Sequence, residues 1–101
     1  MTTDTVTKPK NKVKCNLAPP KNWKVVVFDD DTTPMQLVIE IIMVIFNHEE
    51  EDAVNLTLEV HNTGSAVVGT YSHEIAEHKS LEAMTISRTN GYQLVVAAEE
   101  E

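Results

Sequence analysis

Cysteine and long apolar runs are nearly absent from this 101-residue sequence. Its one cysteine, Cys15, has no partner for an internal disulfide. The longest apolar run covers residues 41–46, far short of the roughly 20 residues that a membrane-spanning helix needs. The first residues also lack the apolar stretch of a secretory signal. These absences, in a chain whose length suits one domain, predict a cytoplasmic protein without a membrane partner.

Positive charge is scarce, and most of it lies near the start of the chain. Residues 1–22 hold five of the eight lysines and arginines, whereas the remainder holds three cations and fifteen of the sixteen carboxylates. The formal net charge is −8. Because an acidic domain repels a phosphate backbone, we expect no nucleic-acid partner. The same charge attracts cations, and a free α-amino group is one.

The first 21 residues have no apolar periodicity. They are rich in threonine, lysine and asparagine, and Pro19 and Pro20 stand near their end. This composition predicts a disordered N-terminal extension, residues 1–21, ahead of a folded domain at residues 22–101.

The folded part begins with a strand followed by two helices. Residues 23–28 are β-branched and aromatic, which predicts a strand. Thr33 as a cap and Pro34 in the first turn predict a helix that runs to residue 46. Asn47 begins the same capping pattern for a second helix, which we expect to end near Gly64.

The second half repeats strand, helix and strand. Residues 66–71 predict a strand, Ser72 is the expected cap of a third helix, and residues 93–97 predict the last strand. The third helix is expected to bury Ile75, Ala76, Ala83 and Ile86. The order βααβαβ predicts an α/β (α+β) fold, in which a small, mainly antiparallel three-stranded sheet packs on three helices.

Four sequence blocks occur in the order of a known family's motifs. They are WKVVVFDDDTTPM at residues 23–35, LEVHNTG at 58–64, AVVGTYSHEIAEHK at 66–79 and GYQL at 91–94. Together they resemble the ClpS family of adaptors for ATP-dependent Clp proteases, and the resemblance covers about residues 22–99.

The resemblance implies an adaptor that has no cofactor and is not an enzyme. Such an adaptor binds proteins with a free N-terminal Phe, Tyr, Trp or Leu and delivers them to the N-terminal domain of a ClpA/ClpC-type unfoldase. By resemblance, the α-amino group would be held by Asp29, Asp30 and His61. The side-chain pocket would comprise Asp31, Thr33, Met35, Val38, Thr57, Val60 and Leu94. The unfoldase contact would involve Glu74 and Lys79.

Three positions depart from the usual family pattern, and one of them, Thr32, replaces a common tyrosine and removes an aromatic ring from the rim of the pocket. Asp29 stands where asparagine is typical, and crowding of three carboxylates is expected to raise the pKa of at least one of them. Thr57 stands where methionine is common. We hypothesise that the smaller, polar side chain alters this pocket wall and changes the preference among Phe, Trp, Leu and Ile.

The same residues allow other functional interpretations. The three aspartates alone are typical of a solvated turn. A metal site at the aspartates and His61 lacks a second His or Cys at ligand spacing, so we expect no metal. An acid-dependent hydrolase lacks a nucleophile motif. The remaining alternative is a ClpS-fold regulator of the unfoldase N-terminal domain, with altered or lost specificity for N-terminal residues.

Overall fold

The computed structural model describes residues 21–101, so the predicted disordered extension falls, except for Lys21, outside the described residues. Six elements follow one another: β1 (Trp23–Phe28), α1 (Met35–Phe46), α2 (Glu50–Thr63), β2 (Ser65–Tyr71), α3 (His73–Thr89) and β3 (Val95–Glu100). The predicted βααβαβ order and the three-stranded antiparallel sheet are confirmed. No helix within the described residues is long and apolar enough to cross a bilayer.

The central strand of the sheet is β1, which pairs antiparallel with β2 on one side and with β3 on the other. Opposite β2 the register shifts, because Val25 pairs with Gly69 whereas Val26 pairs with Val67. Val68 is therefore the extra residue of a β-bulge. Val25 and Val27 have no exposed surface and belong to the core that the helices complete.

The helices contribute different kinds of side chain to the core. The buried positions of α1 are large and apolar: Val38, Ile41, Ile42, Ile45 and Phe46. The buried positions of α3 are all small: Ala76, Ser80, Ala83 and Ser87. Small side chains at a spacing of three or four residues let this helix approach its neighbours closely. The prediction that Ile75 points inward is wrong, since it is 49% exposed, and Ile86 is only partly buried.

The helix starts also differ from the predicted caps. Pro34 occupies the N-cap position of α1, so it does not lie in the first turn, and Thr33 does not cap the helix. The Thr33 hydroxyl instead donates to the carboxylate of Asp30. Asn47 ends α1 in a left-handed conformation with φ 59°, and Glu49 is the N-cap of α2. Side-chain and backbone groups near a helix start compete for the same hydrogen-bond partners, and the partner of the Thr33 hydroxyl is the Asp30 carboxylate.

The structure also fixes three further boundaries. Ser72 is the N-cap residue of α3, but its side chain makes no capping hydrogen bond. The last strand begins at Val95, two residues later than predicted. Gly64 ends α2 as expected. Its φ is 99°, a backbone conformation that would be strained in a residue with a side chain.

Candidate functional site

A cavity of about 170 Å³ opens where the loop after β1, the start of α1, the end of α2 and the segment before β3 meet. Its wall consists of ten residues: Asp29, Asp30, Asp31, Thr33, Met35, Val38, Thr57, Val60, His61 and Leu94. These are the ten positions that the sequence predicted for the amine site and the side-chain pocket. The fold therefore brings together residues that lie up to 65 positions apart in the chain.

The inner part of the cavity is apolar. Val38, Val60 and Leu94 are each at most 5% exposed. Thr57 is equally buried, and its hydroxyl donates to the Ala53 carbonyl at 2.7 Å within α2. Because that hydrogen bond uses the only donor of Thr57, the side chain offers a ligand no free proton. The inner wall therefore favours an apolar group.

The mouth of the cavity carries the charge. Asp29, Asp30 and Asp31 follow directly on β1, and Thr33 and Thr32 both donate their hydroxyl protons to the Asp30 carboxylate. The hydrogen bond from Thr33, and then that from Thr32, lowers the pKa of Asp30 below its ordinary value. At Asp30 the hydrogen bonds to the ionised form prevail over desolvation, which alone would raise the pKa. Asp30 is accordingly an anion at neutral pH.

His61 faces the aspartates from the last turn of α2. Its Nδ1 atom lies 3.9 Å from Oδ1 of Asp29, which is too long for a hydrogen bond. Both side chains are solvent-accessible, so either can turn towards a ligand. The C-terminal end of a helix also carries partial negative charge. The mouth is consequently suited to a cation.

Two hydrogen bonds join the cavity wall to residues outside it and hold the mouth and the inner wall in place. The Asp29 amide donates to the Gly64 carbonyl at 2.9 Å, which ties the aspartates to the end of α2. The Leu94 amide donates to the Ser87 hydroxyl oxygen at 3.0 Å. The sequence analysis missed both supports. The signal for Ser87 was its place among the small residues on one face of α3, seven residues after Ser80.

The two residues predicted for the unfoldase contact lie away from the cavity. Glu74 is exposed in the first turn of α3. The Lys79 ammonium donates to the Ile45 carbonyl at 2.8 Å, near the end of α1, and lies 5.3 Å from the centre of the Tyr71 ring. Lys79 therefore has a structural role in joining α3 to α1, which the sequence did not indicate.

Fold and site together define a small domain whose cavity is suited to a ligand that combines a cation with an apolar group. In the described part of the chain, no group of three or more His, Cys, Asp or Glu side chains is placed to hold a metal ion. The cavity residues supply hydrogen-bond acceptors at the mouth and an apolar wall inside, and both can contact a ligand.

Comparison with known proteins identifies the family of this binding domain. The family model described as the ATP-dependent Clp protease adaptor protein ClpS matches residues 18–97. The ClpS adapter of Nautilia profundicola is 44% identical over 81 residues, covering 80% of this chain and 84% of that protein. The Treponema denticola adapter is 39% identical over 75 residues, covering 74% of each chain. The chain belongs to the ClpS family, whose members are protease adaptors and not enzymes.

A solved structure supports the same conclusion. Agrobacterium tumefaciens ClpS2, bound to L-phenylalaninamide, superposes with a TM-score of 0.80 at 32% sequence identity. The match covers 82% of this chain and all of that one.

Proposed function

We propose that the cavity binds the N-terminal residue of substrate proteins, when that residue is a free Phe, Tyr, Trp or Leu, and that the adaptor delivers them to a Clp-family unfoldase. The observation that carries this proposal is the position of three aspartates and His61 at the mouth of an apolar cavity. An N-terminal residue presents a cation and an apolar side chain within a few bonds of each other. This pairing matches the charge and polarity of the cavity.

The α-amino group would be held by Asp29, Asp30 and His61. An ammonium has three donors, so it needs acceptors from several directions. The three residues approach the mouth from two elements, the loop after β1 and the end of α2. The two threonine hydroxyls donate to one oxygen of Asp30, Oδ2, which leaves the other oxygen available to the ligand. An acetylated amine has lost its charge and two donors, so it would leave these acceptors unpaired.

The substrate side chain would occupy the inner part of the cavity. A volume of about 170 Å³ is similar to the roughly 150 Å³ of a protein cavity that admits benzene. The ligand of the related ClpS2 is L-phenylalaninamide, a compound with a free amine and a phenyl ring. Both observations support a bulky hydrophobic N-terminal residue as the substrate feature.

Delivery would require a second contact, for which we propose the exposed start of α3, with Glu74 and Lys79. Glu74 is free to contact the N-terminal domain of a ClpA/ClpC-type unfoldase. Lys79 would act mainly by fixing α3 against the end of α1 through its bond to the Ile45 carbonyl. Exchange of Glu74 for lysine should therefore weaken unfoldase binding while leaving peptide affinity unchanged.

Fluorescence anisotropy with three labelled peptides tests the substrate proposal. One peptide begins with Phe, the second is its N-acetylated twin, and the third begins with Met. We expect tight binding of the free Phe peptide alone. Asp30→Asn should weaken it by roughly 10- to 100-fold, because the ammonium loses a hydrogen bond to a charged acceptor.

The control for charge is Asp52→Asn, which removes an exposed carboxylate from the first turn of α2. It should leave the affinity within about twofold of the wild type. Equal binding of the acetylated peptide would refute amine recognition. Binding of none of the peptides would favour the alternative, a regulator that occupies the unfoldase N-terminal domain without loading substrates.

A further inference from the structure

A second apolar surface lies between α1 and α3, away from the substrate cavity. Two adjoining depressions of about 420 and 340 Å³ form it, and they share Ile86 in their walls. We call it the α1–α3 groove. Its walls and those of the substrate cavity have no residue in common. Whatever binds there can therefore bind together with a substrate.

The exposure of the groove residues is high for a small domain. Val44 is 69% exposed and Leu81 is 60% exposed, the two highest values among the large hydrophobic residues that the structure describes as exposed. Leu37 and Met43 extend the same surface and are only partly buried. Contiguous exposed apolar surface of this kind typically marks an interaction site.

The length of the groove favours a helix as the occupant. Its wall on α1 runs from Leu37 to Ile45, eight residue steps or about 12 Å along the helix axis. This distance is slightly more than two helical turns, so it accommodates apolar side chains at positions i, i+3 or i+4, and i+7 of an approaching helix.

The negative charge of the groove favours a helix with positively charged side chains. Its charged wall residues are Glu40 in one depression and Glu82 in the other. His78 also lines the groove, with Nε2 at 3.7 Å from Oε2 of Glu82. A carboxylate in each of the two apolar depressions complements lysine or arginine on the partner. A second copy of this chain would instead bring four groove carboxylates face to face.

We infer that the α1–α3 groove is a docking site for an amphipathic helix of a partner protein, with an apolar stripe flanked by lysines or arginines. The inference goes beyond the proposed function, because it needs neither the substrate cavity nor the start of α3. Binding should weaken as salt rises, since the flanking ion pairs are exposed.

The test uses a labelled 14-residue helical peptide with a leucine stripe and flanking lysines. The peptide is N-acetylated, so that it lacks the free amine that the substrate cavity requires. A twin with glutamates in place of the lysines controls for charge. We expect the lysine peptide to bind the full chain and to shift amide resonances of α1 and α3. The glutamate twin should bind at least tenfold more weakly.

Paired variants locate the site. Val44→Ala with Leu81→Ala should weaken the lysine peptide at least tenfold, or about 1.4 kcal/mol. The matched control, Leu58→Ala with Val95→Ala, removes one exposed leucine and one exposed valine elsewhere on the domain, and it should change the affinity less than twofold. Neither pair removes a buried side chain, and circular dichroism checks the fold of both.

Four results would overturn the inference. The first is no binding of the lysine peptide at concentrations up to about 1 mM, and the second is equal weakening by both pairs of variants. The third is a concentration-dependent dimer that Val44→Ala with Leu81→Ala dissociates, which would assign the groove to a second copy. Groove resonances that shift when Lys8, Lys10, Lys12 and Lys14 become glutamine would assign it to the chain's own N-terminal segment.

Discussion

The replacement Ser87→Ala is the sharpest test of how the fold supports the site. Ser87 has no exposed surface, and its hydroxyl oxygen accepts the hydrogen bond from the Leu94 amide. Leu94 is itself only 3% exposed and forms part of the cavity wall. Removal of the hydroxyl leaves a buried backbone donor without this acceptor. The cost of an unsatisfied buried donor is about 1–3 kcal/mol.

Ser80→Ala is the matched control on the same face of α3. Ser80 is 4% exposed, and its hydroxyl donates to the Ala76 carbonyl one helical turn earlier. Loss of that bond leaves a carbonyl that the helix backbone can still satisfy. Both variants gain the same helix propensity of alanine over serine, so this contribution cancels in the comparison.

We expect Ser87→Ala to lower the free energy of unfolding by about 2 kcal/mol more than Ser80→Ala. For a domain of this size the corresponding drop in Tm is about 8–16 °C. Urea denaturation measures the difference, and an unchanged slope against urea would show that both states keep their compactness. A difference below about 0.5 kcal/mol would refute the idea that this hydrogen bond holds Leu94 in place.

Four further predictions concern the site and its supports. Thr33→Val should raise the pKa of Asp30 towards its ordinary value, and an NMR pH titration of the carboxyl carbon measures this change. In the wild type the lowered pKa stabilises the folded state at pH values above the ordinary pKa of the carboxyl group. That contribution is lost as the pH falls through the pKa of the folded state. An imidazole nitrogen can accept a hydrogen bond from the ammonium, so His61→Ala should weaken Phe-peptide binding in the anisotropy titration, whereas an unchanged affinity would contradict a role for His61 in holding the amine. Thr57→Met should raise the affinity ratio of Leu over Ile N-terminal peptides, whereas an unchanged ratio would contradict a role for this wall. Lys79→Met should destabilise the fold by about 1 kcal/mol in denaturation, because α1 loses a bond at its last turn.

The order of elements could be predicted from the sequence because local patterns decide it. The β-branched residues of β1 form a strand with the predicted bounds, and Gly64 ends α2 where expected. The wall of the cavity could be named in advance only through the resemblance to ClpS. Nothing local in the residue Thr57 or Leu94 indicates that the two lie at one cavity. That proximity depends on the packing of α2 against the segment before β3.

The details that could not be predicted are choices between competing partners. The hydroxyl of Thr33 can either cap α1 or donate a hydrogen bond to Asp30, and the sequence alone does not favour one of these two contacts. In α3 the apolar Ile75 points outward while the small Ala76 and Ser80 are buried. A hydrophobicity pattern favours the larger residue, but close approach to the sheet and to α1 admits only the smaller ones.

The charged mouth and the apolar inner wall of the cavity depend on different parts of the fold. The amide of Asp29 is bonded to the Gly64 carbonyl, so the charged mouth is fixed by β1 and α2. The amide of Leu94 is bonded to Ser87, so one side of the apolar wall is fixed by α3. Because these supports have no atom in common, a change in one need not disturb the other. Variation at the α3 support can therefore alter the shape of the apolar wall while the arrangement of the charged mouth persists.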